Sequence, residues 1–513
     1  MWGGSPDWVR PRARRLTVAE AKVRAAELGP TRSALPAPSH WERRFTQLTV
    51  LSAIVLPPVL LSPGLIRGPT LDASVFMQVA MTVRAGGMPY LDAWDHKPPG
   101  IYIVEALVGL TSQVQDPWVA VWMLSWAATT TTLLLLGFGF GPPPSARAGL
   151  ILVVGAALVC SGYDFALGGG YTETFAILPA TAGLVVVANH RRLPGLTLAG
   201  ALGVAAATIS LQLAPAMLAI ALLAFRGQGS RGLLFVALGG GLVVLPTAGW
   251  LWLGGAAPSA LDALAVFNRA YVAGNGWNAW SLAGVVRSTL AAAALLTPAL
   301  ARVAYLVRRP RQTSALDGSA LVWLGSAMTF FAVQQNWFPH YGIALVPPLF
   351  VLGRNARTSP VGIGLITVAV AGIIMALALP PFVAPPSLAR LASEVQGLPS
   401  TSKIFVWGNE PTIYLASGKA AVSKYVYIRP LMTPGYATDA VVGEVLDDWY
   451  DDPPDAIIDA SFNLFGVSSV PLLGPWRFPG DPVADNLDPL RAFVRERYVV
   501  ASVIDDWVMY VPR

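Results

Sequence analysis

The chain has 513 residues, of which 54% are hydrophobic and 12% charged, with a formal net charge of +6. A soluble domain carries about twice that charge fraction, and charge-free runs of roughly 20 residues, such as Val361 to Val383, are long enough to cross a bilayer as helices. This excludes a soluble globular protein, and a basic surplus collected in short loops between apolar runs excludes nucleic acid as the reason for it.

Residues 1–44 are basic and polar and read as a cytoplasmic tail, with Arg10, Arg12, Arg14 and Arg15 near anionic headgroups. Thr17-Val-Ala-Glu20 reads as a capping box, and its helix would stop at Gly29-Pro30. No cleavable signal pattern precedes the first apolar span, which starts near Leu48. Eleven spans are expected, near 48–66, 117–140, 147–162, 173–189, 194–210, 212–225, 232–254, 283–306, 318–336, 341–353 and 360–382. The single cysteine, Cys160, lies within one of them, which rules out a disulfide framework or a thiolate metal site. With the N-terminus inside, Arg147, Arg191, Arg192, Arg226, Arg231, Arg308, Arg309, Arg311, Arg354 and Arg357 fall on the cytoplasmic side, whereas Arg269 and Arg287 fall near outer ends. The apolar stretch from Ile101 to Gln113 is too short to span and would break this bias, so it reads as a helix lying in the outer interface or dipping in and back.

From Pro385 the character changes. Acids outnumber bases by 16 to 10, and strand-like runs at 403–407, 455–459, 498–504 and 507–511 alternate with helical ones at 387–397, 411–417, 438–450 and 487–497. The fold class that follows is a mainly α polytopic membrane bundle (45–384) with a C-terminal α/β domain (385–513) holding a partly parallel sheet. By topology that domain is extracytoplasmic. Arginine in place of lysine, with abundant Ala, Gly and Pro, points to a GC-rich bacterial genome and a plasma-membrane location.

Four polar clusters fall on the outer face: 67–100; Tyr163-Asp164 with Gly170 to Glu173; Asp262 to Trp280; and Gln334 to Tyr341. Their convergence predicts a cleft there. The third mixes aromatics with amides, which suits either stacking on sugar rings or an interfacial aromatic belt. In the first, Lys97-Pro98-Pro99-Gly100 sets a cation just before a helix N-terminus, where the dipole repels it unless an anion is bound between them. That pattern suits a phosphate; the alternative is a lysine that snorkels to water or pairs with Asp92 or Asp95. Asp72 is either the N-cap of a helix over 73–85 or a carboxylate that deprotonates a hydroxyl or binds a metal. Gly168-Gly-Gly170 reads as a flexible turn, since no strand precedes it. Trp407 to Pro411 follows a strand and opens a helix; it reads as a structural turn capped by Asn409 more than as a ligand loop.

Together, Asp72, the turn Gly86-Gly-Met-Pro-Tyr-Leu-Asp92 and Asp95-His-Lys-Pro-Pro-Gly100, with Glu173 opening a helix and Pro339-His-Tyr341, resemble bacterial members of the GT-C glycosyltransferase superfamily, close to the protein O-mannosyltransferases and the aminoarabinose transferases of lipid A. The resemblance implies a transferase that takes a sugar from a polyprenyl-phosphate donor and passes it, with inversion, to a hydroxyl of a lipid, protein or polysaccharide acceptor on the outer face. Asp72 would be the base. Lys97, His340 and Arg84 would hold the donor phosphate, and Tyr90, Asp92, Asp95, His96, Glu173 and Tyr341 would line the substrate site. No cofactor is required. Relatives often carry Asp-Glu where this chain has Asp72-Ala73, so a divalent cation is not supported, and Gln212 stands where relatives carry a lysine. The alternative is a non-enzymatic translocator of lipid-linked sugar, which would call for charges buried mid-span and repeat symmetry between halves.

Overall fold

The computed structural model describes residues 39–111, 116–141, 146–190, 192–274, 292–335, 338–356, 386–461, 471–473, 485–505 and 507–513. The expected capping box at Thr17, the amides and aromatics of 275–280 and the span near 360–382 lie outside them. Phe45–Arg513 forms one compact unit; Met1–Arg44 is another, described only at 39–44.

The apolar runs fold as helices because a helix satisfies its own backbone where lipid cannot. In chain order these are α1 (His40–Arg67), α2 (Leu71–Arg84), α3 (Gly100–Thr111), α4 (Pro117–Phe138), α5 (Ala146–Ser161), α6 (Thr172–Asn189), α7 (Leu193–Ile209), α8 (Pro215–Leu253), α9 (Ala293–Arg308), α10 (Ala315–Gln334) and α11 (Val346–Arg354). Among the described residues five helical stretches are long and apolar enough to cross a membrane: α1, α4, α6, α10 and Leu211–Leu253. The expected break near Leu211-Gln212 is present as a short 3-10 turn, Leu211–Leu213. The two spans expected at 212–225 and 232–254 form one helix in name only, since Gly229 at φ 61 and ψ −147 breaks it. The span expected at 341–353 is a 3-10 turn, Pro339–Leu345, followed by α11.

One regularity positions the site. α6 runs from Glu173 toward Arg192, α8 from beside Gln212 toward Arg226, and α11 from His340 to Arg354, while α10 runs from Arg311 back toward Pro339. α6, α10 and α11 each have arginine near one end and a candidate site residue near the other, and α8 carries Arg226 just before its break at Gly229. The arginine end is clamped: Arg302 of α9 reaches Asp317 of α10 at 2.8 Å, and Arg354 donates to the Phe140 and Gly141 carbonyls at 2.9 Å each.

The C-terminal part adds α12 (Pro386–Gln396), β1 (Lys403–Gly408), β2 (Ala420–Ala421), α13 (Asp439–Asp451), β3 (Ala456–Ala460), α14 (Asp488–Arg497), β4 (Tyr498–Ile504) and β5 (Trp507–Pro512). The sheet order is β2-β1-β3-β5-β4. β1 pairs in parallel with β2 and β3, and β5 is antiparallel to β3 and β4, so the sheet is mixed as the patterning predicts. All five β3 residues are buried, the signature of a central strand covered on both faces.

Candidate active site

α2 opens the site. Its N-cap is Thr70, whose hydroxyl accepts from Ala73 N at 3.3 Å. The helix thus starts at Leu71 and not at 73, and a threonine does the capping that Asp72 was a candidate for. Asp72 sits half-buried in the first turn, and its carboxylate makes no hydrogen bond among the described residues.

The loop 85–99 is folded around Asp95. Tyr90 takes the left-handed conformation at φ 69; its N–H donates to Ala93 O at 2.7 Å and its hydroxyl to Lys97 O at 2.8 Å. Asp95, 1% exposed, accepts from the hydroxyls of Tyr102 (2.9 Å) and Tyr427 (2.8 Å), and His96 Nδ1 lies 3.1 Å from it. Burial alone would raise the Asp95 carboxyl, but the hydrogen bond with His96 and the charge of Lys97 hold it below its ordinary value. Burial outweighs Asp95 at His96 and lowers that imidazole, so His96 is neutral near pH 7. Asp95 is therefore an organising carboxylate, fully occupied within the fold.

Asp95 and Asp92 being engaged elsewhere, Lys97 has no direct ion pair among the described residues. Burial would lower its ammonium, but Tyr341, Asp72, Glu173 and Asp95 around it hold it above its ordinary value. Lys97 is the electrostatic centre of the site. Rings join the clusters in pairs: His96 of the first lies 5.7 Å from Tyr271 of the third, and Tyr171 of the second lies 4.5 Å from His340 of the fourth, while Asp72 and Glu173 bear on the Lys97 charge.

The glycines of the second cluster make this possible. Gly168, Gly169 and Gly170 have φ of +92, +108 and +83, and a Cβ on Gly168 would lie 2.4 Å from the Gly64 Cα. Gly168 packs on α1, Gly169 on Ser125 and Gly170 on Ala73 and Trp118, so the expected turn is closely packed on three sides. The turn delivers Tyr171, which stacks on His340 at 4.5 Å, and Glu173, 1% exposed. Ser210 Oγ lies 2.9 Å from Glu173 Oε1 and 2.7 Å from Gln212 Oε1, while Glu173 Oε2 has no partner among the described residues. His340, also stacked on Phe338 at 5.5 Å, is driven well below its ordinary value by burial and by Lys97. It is therefore a neutral hydrogen-bond donor and not a second cation.

Two expected site residues are not brought in. Arg84 is exposed in the last turn of α2, roughly 18 Å from Asp72 at about 1.5 Å per residue. Asp92 is exposed and closes a turn by accepting from Met88 N at 2.6 Å. In their place the α/β part supplies residues that sequence reasoning missed. Tyr427 bonds Asp95, and Arg429 lies 5.6 Å over the Tyr271 ring with no ion pair among the described residues. Asn409 does not cap the helix Thr412–Ser417, which has no side-chain cap; Thr412 instead bonds Glu410 at 2.7 Å and meets Ser74 of α2 at 2.9 Å. Among the described residues no group of three His, Cys, Asp or Glu is placed to hold a metal ion.

No protein-family model and no curated protein matches this sequence. Solved structures do. ArnT from Cupriavidus metallidurans bound to undecaprenyl phosphate aligns at 13% identity and TM-score 0.57, covering 92% of this chain and 98% of that one. Its apo form aligns at 13% identity and TM-score 0.58, covering 92% and 97%. The arabinosyltransferase EmbB from Mycobacterium smegmatis aligns at 18% identity and TM-score 0.44 over 73% of this chain; the chain spans 34% of that protein's length.

Proposed function

We infer, from the GT-C membrane-transferase fold that this chain adopts, that it transfers a sugar from a polyprenyl-phosphate donor to an acceptor hydroxyl. The observation that carries the reading is Lys97: a cation with no direct ion pair among the described residues, acted on electrostatically by Asp72, whose carboxylate makes no hydrogen bond among them. ArnT in complex with undecaprenyl phosphate supports a lipid-linked donor.

The chemistry needs one base and one cationic clamp. Asp72 takes the proton of the acceptor hydroxyl as its oxygen attacks the anomeric carbon. The bond from that carbon to the phosphate oxygen breaks, and the electron pair leaves with the polyprenyl phosphate. Lys97 and Arg429 neutralise the departing charge, and neutral His340 donates a hydrogen bond to it. Phosphate leaves without prior protonation, so no further acid and no cofactor is called for. A single displacement inverts the anomeric centre. Glu173, whose Oε2 has no partner among the described residues, and Tyr341, on which it acts electrostatically, suit the hydroxyls of the sugar. The arginine ends of α6, α10 and α11, with Arg226 before the break in α8, lie away from the site, which supports an outward-facing position in a bacterial plasma membrane.

The test uses membranes holding equal amounts of wild type and Asp72→Asn, supplied with a radiolabelled polyprenyl-phosphate sugar. Transfer should fall by about 10²–10⁴-fold in the variant. Equal transfer would remove Asp72 from the reaction, and movement of label across the membrane without transfer would favour a translocator.

A further inference from the structure

A cavity of about 440 Å³ shares Trp94 with the loop 85–99 and lies between the α/β part and the segment that follows α8. Cavities of a few hundred Å³, largely apolar with a few placed polar groups, are where small ligands bind. This one sets Trp94, Tyr425 and Tyr436 against Asp262, Glu444 and Lys424. Tyr425 donates to Glu444 at 3.0 Å, and Lys424 pairs with the same carboxylate, which leaves that corner neutral. Tyr436 donates to Asp262 Oδ2, and Asp262 Oδ1 has no partner among the described residues.

The backbone beneath it is unusual. Asp262–Phe267 is a π-helical stretch between the helices Ala257–Leu261 and Asn268–Gly274. Such stretches are rare and concentrate at functional sites. In an α-helix, residues five apart point in divergent directions; the wider π turn brings them to one face. Here Asp262 reaches Tyr436 while Phe267 packs edge-on to Trp94 at 4.7 Å and to Tyr436 at 5.0 Å. A free carboxylate oxygen accepts hydroxyl hydrogens, and aromatic walls pack on the C–H faces of a ring. The combination matches a neutral, hydroxyl-bearing ring better than an anion, which Asp262 repels.

We propose that this cavity is a saccharide subsite that holds a sugar ring of the acceptor, beside the reacting bond and not at it. Trp94 immediately precedes Asp95, and Tyr425 lies two residues from Tyr427, so an occupied cavity abuts the cluster that fixes the loop 85–99. Assignment to the acceptor rests on the transferase reading above; sugar binding does not.

The experiment takes the full-length protein in detergent and measures saturation-transfer NMR to methyl hexopyranosides and methyl pentofuranosides, with glycerol as the control. Ala440→Trp fills the cavity from its exposed rim, and Asp262→Asn weakens the acceptor oxygen. Glycosides, and not glycerol, should receive saturation from wild type and from Asp72→Asn, and lose most of it in both cavity variants. Equal saturation in wild type and Ala440→Trp, or none in wild type, overturns the proposal. Where transfer is measurable, Ala440→Trp should raise KM for the acceptor roughly tenfold and leave the donor KM unchanged. A shift in donor KM alone would mean that the cavity holds the donor sugar and would overturn the acceptor assignment. Glycoside binding that persists in a chain showing no transfer would sink the transferase reading and leave the subsite standing.

Discussion

At the scale of the residue, the site turns on which polar groups the fold leaves unsatisfied. Thr70 takes the capping bond, Met88 N occupies Asp92, and two tyrosines and His96 occupy Asp95. What remains is Asp72 and Lys97. The sequence displays all five polar residues in one stretch, but their division into used and free depends on partners as distant as Tyr427. Glu410 is the other residue with a measurable consequence. Burial pushes its carboxyl up to about 7, against the opposing bond from Thr412. A raised acid favours the protonated folded state. Its stabilisation is complete below the unfolded carboxyl value of about 4.3 and is lost as pH rises through about 7. The melting temperature of wild type should therefore fall relative to Glu410→Gln between about pH 4.5 and 8. Thermal unfolding in detergent across that range checks it, and parallel curves would contradict it.

At the scale of the element, close approach dictates several residue choices. α3 begins at Gly100, where a Cβ would sit 2.5 Å from Thr208 O at the end of α7. That contact seats the Lys97-Pro-Pro step against the bundle. Gly100→Ala should cost about 1–3 kcal/mol through overpacking and displace Lys97. The expected readout is a lowered melting temperature with a raised donor KM; a variant with wild-type values for both would show that α7 yields freely. The four strands expected from patterning appear within about a residue of their predicted bounds, because each is a short apolar run closed by turn residues. The two-residue strand β2, the helix Arg429–Met432 and the π stretch carry no such pattern. They exist because neighbours hold them: β2 extends the β1 edge in parallel, and Asp262–Phe267 is pinned by Tyr436 and Trp94.

At the scale of the whole molecule, the α/β part completes the site. Tyr427 reaches Asp95, Lys424 O accepts from Trp94 N at 2.8 Å, and Thr412 meets Ser74. Burial keeps the Tyr427 hydroxyl protonated, well above its ordinary value, so it remains a donor to Asp95. Tyr427→Phe leaves that buried carboxylate one bond short and should destabilise the chain by about 1–3 kcal/mol. Transfer should fall with it, because the loop that carries Lys97 loses its anchor. Denaturant unfolding of the two proteins, paired with a transfer assay, gives both numbers, and a change in stability alone would confine Tyr427 to packing.

By itself the sequence determined the membrane bundle and the C-terminal α/β part, and it marked Asp72, Lys97 and His340 as candidates. Apolar run length, strand alternation and loop charge are local properties that survive without coordinates. Tertiary structure alone decided that Arg84 and Asp92 stand apart, that His340 is neutral, and that Arg429 and Tyr427 enter from the far end of the chain. Those outcomes depend on burial and on through-space distance between residues hundreds of positions apart, and neither quantity is written in the order of the residues.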